Sequence, residues 1–264
     1  IDHFILSKLE TFRLEPAAEA DRATLARRRY FDLSGLPPTP AEIAEFVHDE
    51  RPGAYEQLVD KLLASPAYGE RMASWWFDLV RFADTVGYHG DQDHRITPYR
   101  DYVIKSFIEN LPFDQFTVEQ LAGDLLPNPT MWQRVATGYN RVLQTTHEGG
   151  AQDGEYRAKS LADRVRNFSE VWMAGSLGCA ECHDHKFDPY SQRDFYSMAA
   201  LFADVDHYGS YEKLGTNSLP TERPPEMFAW TLPVYEKAKA LDEKIVAVES
   251  SIDPTFKEAE KETW

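Results

Sequence analysis

Apolar positions recur every three or four residues along most of the chain, the spacing that places them on one face of an α-helix. No segment alternates apolar and polar residues as a half-buried strand does. The longest helical stretch is 66–83, whose apolar positions are Tyr68, Met72, Trp75, Trp76, Leu79, Val80 and Phe82. A face this broad requires packing partners. The pattern therefore predicts an all-α, multi-helix protein.

Local start signals define the other predicted helices. Thr39, Pro40 and Glu42 have the order of a capping box with proline in the first helical position, which predicts a helix over 40–48. Start signals and apolar spacing predict further helices at 21–33, 54–64, 98–109, 117–125, 132–143, 154–174 and 191–203. Long loops rich in Pro and Gly connect them.

The same pattern divides the chain into three regions. Residues 1–207 hold the helices above, and we expect them to form one domain. Residues 208–230 are polar and contain prolines, which predicts a linker or long loop. Residues 231–264 are charged with helical apolar spacing, which predicts an extended arm of coiled-coil character. The chain begins inside an amphipathic pattern without a leader, so we expect a fragment of a larger protein.

The charge of the chain excludes some classes of partner. Lys and Arg number 28 and Asp and Glu 44, a net charge of −16. Nucleic acids and anionic membranes carry phosphates that this charge would repel, and no dense basic run offsets it. No apolar run reaches the length of a membrane span. We therefore expect no binding to nucleic acid and no membrane-spanning segment.

The two cysteines carry the most specific chemical signal. Cys179 and Cys182 are followed directly by His183, and Cys-X-X-Cys-His is the pattern for covalent attachment of c-type haem. Two thiols at this spacing face one side of a helical turn, where they can add to the haem vinyl groups while the adjacent imidazole ligates the iron. The motif predicts one covalent haem c with His183 as the proximal iron ligand.

Three alternatives use the same residues. One is a Cys179–Cys182 disulfide, which leaves His183 without a role. A zinc site with His183 or His185 is another, but the chain has no second ligand pair at zinc-finger spacing. The third is two coincidental core cysteines.

Residues near the motif are candidates for contacts to the haem. Arg164 and Arg166 precede it by about four helical turns and are candidates to bind the propionates, with surface or intrahelical salt bridges as the alternative. His185 lies too close to His183 to reach the opposite haem face, and we expect it in the surrounding layer or beside a propionate. Candidate apolar walls are Phe168, Trp172, Phe187 and Tyr190.

The ligand on the opposite side of the iron decides between two functions. A His or Met there is typical of electron transfer, whereas an open position allows peroxide or substrate chemistry. His147 lies beside Glu148 and two glycines, so the pair is a candidate catalytic acid and base, with a solvated loop histidine as the alternative. The candidates for the sixth position are His89, His94, His147, His185, His207 and Met173.

A second metal site is suggested by one loop. Asp91, Gln92, Asp93 and His94 place hard oxygen ligands at alternate positions, which makes the loop a candidate for calcium. The loop lacks the length and the closing Glu of a helix-loop-helix calcium site, and this favours a solvated turn.

Several long motifs, in order, resemble the planctomycete-type cytochrome c family, also known as domain of unknown function 1549. The resemblance covers roughly residues 1–206 and is carried by the segments 31–39, 66–71, 81–85, 98–103, 119–125 and 178–189. It implies haem c in a large exported protein, periplasmic or at the cell surface, beside a separate small cytochrome domain and a further uncharacterised domain. The family usually has an acidic residue where this chain has His89, so the resemblance implies no role for that histidine.

Three functions follow from these observations. The first is electron transfer between redox domains of the same full-length protein, with a basic redox partner suited to the acidic surface. A haem oxidoreductase acting on peroxide or carbohydrate is the second, because about 200 residues around one haem leave room for a substrate pocket whereas a small cytochrome needs only about 100. The third is a non-haem binding or scaffold module with a Cys179–Cys182 disulfide.

Overall fold

The computed structural model describes residues 1–88, 91–146, 148–205, 223 and 226–251. Within these ranges the regular structure is helical, and β pairing is limited to the isolated bridges Thr85–Asp93 and Gly87–Thr145. The predicted all-α class is therefore confirmed. None of the described helices combines the length and the apolar character needed to cross a membrane.

The described residues form eleven α-helices. In chain order they are α1 (Asp2–Thr11), α2 (Arg22–Ser34), α3 (Pro40–His48), α4 (Ala54–Leu63), α5 (Pro66–Val80), α6 (Thr97–Ile108), α7 (Phe113–Ala122), α8 (Met131–Ala136), α9 (Asp153–Met173), α10 (Gln192–Leu201) and α11 (Leu232–Ser251). Three short 3₁₀ helices accompany them, at Gly123–Leu125, Thr137–Arg141 and Leu177–Glu181.

Local chemistry sets the ends of two helices, of which one agrees with the prediction and one is shorter. Helix α3 occupies the predicted 40–48, and its capping box is complete: Thr39 Oγ1 accepts the Glu42 N–H at 3.3 Å, and Glu42 accepts the Thr39 N–H at 2.8 Å. Helix α5 stops at Val80, three residues before the predicted end, because Arg81 adopts a left-handed conformation with φ of 60°.

Helix ends set by packing differ from the prediction. The segment predicted as one helix over 132–143 is the short α8 followed by a 3₁₀ helix, and α7 begins at Phe113 rather than 117. Directly after α7, a Cβ added to Gly123 would lie 2.1 Å from the carbonyl oxygen of Gln133. This close approach is a tertiary contact that local periodicity does not contain.

The chain forms two compact units, Ile1–Met72 and Ala73–Trp264. The periodicity alone predicts no boundary at Met72. In the first unit, α2, α3 and α4 enclose a small core around Tyr30, Phe46 and Leu58.

The second unit has a large aromatic core built on α5 to α8. Trp76 lies at its centre, edge-on to Phe116 and Trp172 at ring distances of 4.9 and 5.0 Å. Gln120 is fully buried there, and its Oε1 accepts hydrogen bonds from Trp76 Nε1 at 3.1 Å and from the Tyr99 hydroxyl at 2.6 Å. These bonds satisfy polar groups that water cannot reach.

A smaller core in the same unit joins α9, the 3₁₀ helix Leu177–Glu181 and α10. Its buried members are Ala162, Val165, Leu177, Ala180, Phe195 and Phe202. This cluster positions the segment that carries both cysteines.

The predicted arm is helical as far as it is described. Helix α11 runs from Leu232 to Ser251, and no residue of it is buried. The rest of the arm, 252–264, and most of the predicted linker, 208–222 and 224–225, lie outside the described residues.

Candidate functional site

The Cys-X-X-Cys-His motif lies on an anchored turn with an open outer face. Leu177 and Ala180 are buried against the smaller core, which holds the turn from inside. Cys179, Cys182 and His183 are all exposed. Both thiols are free, so the structure contains neither the disulfide nor a pair of buried core cysteines.

A hydrogen bond fixes the tautomer of the His183 ring. Its Nδ1 lies 2.8 Å from the carbonyl oxygen of Asp184. Because a carbonyl oxygen can only accept, Nδ1 carries the hydrogen, and Nε2 of the neutral ring keeps a free lone pair. Metal-ligating histidines are commonly oriented by such a bond from the other ring nitrogen.

His185 is engaged within the loop that follows. Its Nδ1 accepts the backbone N–H groups of Asp188 at 2.7 Å and Phe187 at 3.2 Å. The hydrogen of the neutral ring is then on Nε2, which donates to Ser176 Oγ at 3.0 Å. With a side chain only 9% exposed, His185 stabilises the loop after the motif.

The two candidate arginines have different positions. The side chain of Arg166 crosses the motif turn, where a Cβ on Gly178 would lie 2.8 Å from its Cγ, and its guanidinium forms an ion pair with Glu181. Arg164 is buried and its Nε donates to the carbonyl oxygen of Asn140 at 3.1 Å. The structure thus brings Arg166 to the motif and places Arg164 in the interior.

The four aromatic residues expected as haem walls do not lie together. Trp172 packs in the large core, and Phe168 and Tyr190 pack against the smaller one. Phe187 is highly exposed in the loop after the motif.

A cleft of about 510 Å³ borders the motif turn at Glu181. Its floor is one face of α9, and its opposite wall comes from two neighbouring loops. Those loops meet at the Gly87–Thr145 bridge, where Gly87 has a φ of +81° and a Cβ would lie 2.9 Å from the Gln144 side chain. The lining residues are Tyr88, Leu143, Gln144, Glu155, Tyr156, Ala158, Lys159, Ser160, Ala162, Asp163, Arg166 and Glu181.

The charges of the cleft are paired within the protein. Lys159 pairs with Glu155, Arg166 with Glu181, and Arg81 with Asp163 through Oδ1 at 2.6 Å. The second oxygen of Asp163, Oδ2, is buried and has no hydrogen-bond partner among the described residues. Burial raises the pKa of Asp163 above its usual value, outweighing the opposite effect of the nearby arginines.

The candidates for the sixth iron position and for acid–base catalysis are only partly described. His89, His147 and His207 lie outside the described residues. His94 is partly buried, and its burial together with the charges of Arg223 and Arg141 lowers its pKa to about 4.

Met173, a candidate for the sixth iron position, and Glu148, a candidate for acid–base catalysis, are both exposed. Met173 is the last residue of α9, and Glu148 is an exposed loop residue whose N–H donates to Thr146 Oγ1 at 3.3 Å.

The candidate calcium loop uses its side chains within the protein. Asp91 Oδ1 accepts the Gly87 N–H at 2.8 Å, and Gln92 Oε1 accepts from Arg223 at 3.2 Å. Among the described residues no group of three or more His, Cys, Asp or Glu side chains is placed to hold a metal ion. This statement covers both the 91–94 loop and the set Cys179, Cys182, His183 and His185.

Two features of this region are not predicted from the sequence. Arg223 is almost completely buried and donates to Thr145 Oγ1 at 2.9 Å, although its neighbours suggest a polar linker. The cleft combines loops and a helix far apart in the chain. The sequence did contain one signal for the cleft. The spacing of Tyr156, Lys159 and Asp163 places these three residues on one face of the predicted helix.

Comparison with known proteins identifies one similarity. A family model described as PSCyt2, protein of unknown function (DUF1549), matches residues 1–207. The comparisons with curated proteins and with solved structures found no match.

Proposed function

The chain belongs to the DUF1549 family, whose function is not known, and from this premise we propose that it is a c-type cytochrome domain that transfers electrons. Cys179 and Cys182 would hold the haem, and His183 would ligate its iron through Nε2. Haem c, when bound, supplies an iron that alternates between ferrous and ferric states.

The observation that carries the proposal is the joint exposure of the three motif residues on an anchored turn. Each free thiol can add across one vinyl group, with the sulfur bonding one carbon and the hydrogen passing to the other, so attachment needs no oxidant. The Asp184 carbonyl keeps the hydrogen of His183 on Nδ1 and so leaves Nε2 available. The donor chemistry of the turn therefore fits haem c.

The openness of the turn supports electron transfer as the role. A redox partner can approach a group held on an exposed face, and no described segment packs over the two thiols. The net charge of −16 favours a basic partner, because opposite charges accelerate a transient encounter. Other redox domains of the same full-length protein are the proposed donors or acceptors, and the proposed location is the periplasm or cell surface.

Arg166 is the proposed basic contact for a propionate. It is the arginine that reaches the motif turn, although Glu181 already neutralises its charge in part. Arg164 is proposed to act only as a structural donor to the interior.

The test is attachment in a host with cytochrome c maturation. Purified protein should give a c-type pyridine haemochrome spectrum and a mass increased by one haem. H183A should change the iron spectrum by removing the proximal ligand, and C179A/C182A should lose covalent haem. H48A is the control, because His48 is an exposed histidine at the end of α3, and it should keep the haem. Protein without covalent haem under these conditions would refute the proposal.

A second candidate function is a haem oxidoreductase, and the cleft beside Glu181 favours it. Its three ion pairs leave no excess charge for an ionic ligand. The carboxylates of Glu155, Asp163 and Glu181 line the cleft, and so do the rings of Tyr88 and Tyr156, which meet edge-on at 5.6 Å. Carboxylate acceptors with aromatic surface suit a neutral ligand rich in hydroxyl groups, such as a carbohydrate.

This second function is tested by ligand titration of the haem-loaded protein. D-glucose, D-galactose and L-fucose are titrated by calorimetry, and hydrogen peroxide by the ferric haem spectrum. Binding lost in K159A but kept in K239A, an exposed lysine of α11, would support the cleft as the substrate site. A low-spin spectrum insensitive to peroxide, with no sugar binding, would leave electron transfer as the function.

A further inference from the structure

Helix α11 begins against the large aromatic core of the second unit and is fully exposed further along. Tyr235 packs edge-on against Trp132 at 5.3 Å, and Leu232 contacts the same aromatic core. From Leu241 onward every described residue of the helix is exposed. Leu241, Ile245 and Val248 are each more than half exposed although they are aliphatic. An apolar stripe thus lies uncovered by the described part of the chain.

The stripe has the spacing of a coiled-coil seam. Its members alternate between the d and a positions of a heptad repeat: Val234, Ala238, Leu241, Ile245 and Val248. The central pair has Leu241 at d and the β-branched Ile245 at a. This combination favours two parallel strands.

Charges beside the seam specify its partner. The g positions are Lys237 and Lys244, and the following e positions are Asp242 and Glu249. In a parallel pair each g residue lies beside the e residue of the next heptad in the other helix, so each lysine meets a carboxylate of the second copy. In an antiparallel pair lysine meets lysine and carboxylate meets carboxylate, which is repulsive.

We propose that α11 is a docking surface for a second copy of this chain and forms a parallel two-stranded coiled coil through the a and d residues above. The surface complements itself, as a two-fold symmetric interface requires. The pairing joins two copies of the domain and is independent of whether the motif carries haem.

The first test measures self-association of the 264-residue chain by sedimentation equilibrium. The chain should dimerise reversibly, and I245D should weaken the dimer at least about tenfold, because a carboxylate would enter the seam. V246D is the matched control, since Val246 is equally aliphatic and exposed but lies off the seam, and it should dimerise like the unchanged chain. Neither residue is buried, so both variants should keep the fold.

Two results of this test would overturn the proposal. One is a chain that stays monomeric up to about 1 mM. The other is an I245D variant that dimerises as tightly as V246D.

A second test reads the orientation. In a C179S/C182S background, V248C should form an intermolecular disulfide, because a parallel pair places the two d-position thiols side by side. V246C should not form one. A V248C variant that fails to cross-link while the chain dimerises would refute the parallel arrangement.

Discussion

Arg166 and Glu181 form an ion pair that ties helix α9 to the turn between the two cysteines. On the way to Glu181 the arginine side chain passes over Gly178, where a Cβ would lie 2.8 Å from its Cγ. One side chain on α9 therefore covers the residue before Cys179 and pairs with the residue before Cys182. The position of the motif depends on this packing as well as on the buried Ala180.

The first prediction concerns that close approach. G178A should lower the thermal stability of the protein and reduce the amount of covalent haem, because the added methyl group displaces Arg166. In an R166A background the same change should cost little, because the displaced side chain is gone. The measurement is Tm by circular dichroism over the four-member double-mutant cycle. Equal losses of Tm in both backgrounds would show that contact with Arg166 is not the reason an alanine at position 178 is unfavourable.

The second prediction uses the exposure of the thiols. Apoprotein under native conditions should react with two equivalents of a thiol reagent at the rate of unhindered cysteines, because Cys179 and Cys182 are free and exposed. Protein carrying covalent haem should not react at all. Reaction only after denaturation would contradict the described position of the motif turn.

The third prediction concerns the buried amide of the large core. Q120M keeps the side-chain length but removes the acceptor of the Tyr99 hydroxyl hydrogen, whereas the Trp76 N–H can still donate to the Tyr99 hydroxyl oxygen at 3.2 Å. Since an unsatisfied buried donor costs about 1–3 kcal/mol, the free energy of unfolding should fall by an amount in that range. Urea unfolding measures the change. Q57M, on an exposed residue of α4, is the control and should be close to neutral.

The fourth prediction is a pH dependence caused by His94. Burial and two arginines lower its pKa to about 4, below the unfolded value near 6.5. A lowered folded pKa means that the unfolded state binds the proton more readily. The contribution of His94 to the free energy of unfolding is therefore fully present above about pH 6.5. It is lost as the pH falls towards 4, and the total loss is roughly 3 kcal/mol.

Comparing stability curves of H94Q and the unchanged chain between pH 4 and 7 checks the prediction. H94Q should lack this component of the acid loss. H48Q, a change at an exposed histidine, should retain it. A curve for H94Q that parallels the unchanged chain over the whole range would exclude His94 as the cause.

Features with local causes were predictable from the sequence. The bounds of α3 follow from Thr39 and Glu42, which are three residues apart and cap each other. The all-α class follows from helical periodicity, and the family follows from ordered motifs. The Cys-X-X-Cys-His motif is contained in five consecutive residues, so its chemistry could be proposed before its geometry was known.

Features with distant causes were not predictable. Helix α8 is shorter than its periodicity predicts in a region where Gly123 and Gln133 approach closely, and Arg223 is buried because Thr145 and Gln92 accept its hydrogen bonds. The wall of the cleft depends on Gly87 lying against Gln144. Each of these contacts joins residues that are at least ten positions apart, and no residue spacing reports them.

The sequence by itself therefore determined the all-α class, the bounds of helices such as α3, the Cys-X-X-Cys-His spacing and the heptad spacing of α11, because each rests on interactions within a few turns. Only the tertiary structure decided that the motif residues face outward while Ala180 is buried, that Arg166 rather than Arg164 reaches the motif turn, and that the α11 seam is left uncovered by the described residues. The physical reason is that exposure and contact are properties of packing between distant segments, which local pattern constrains but does not specify.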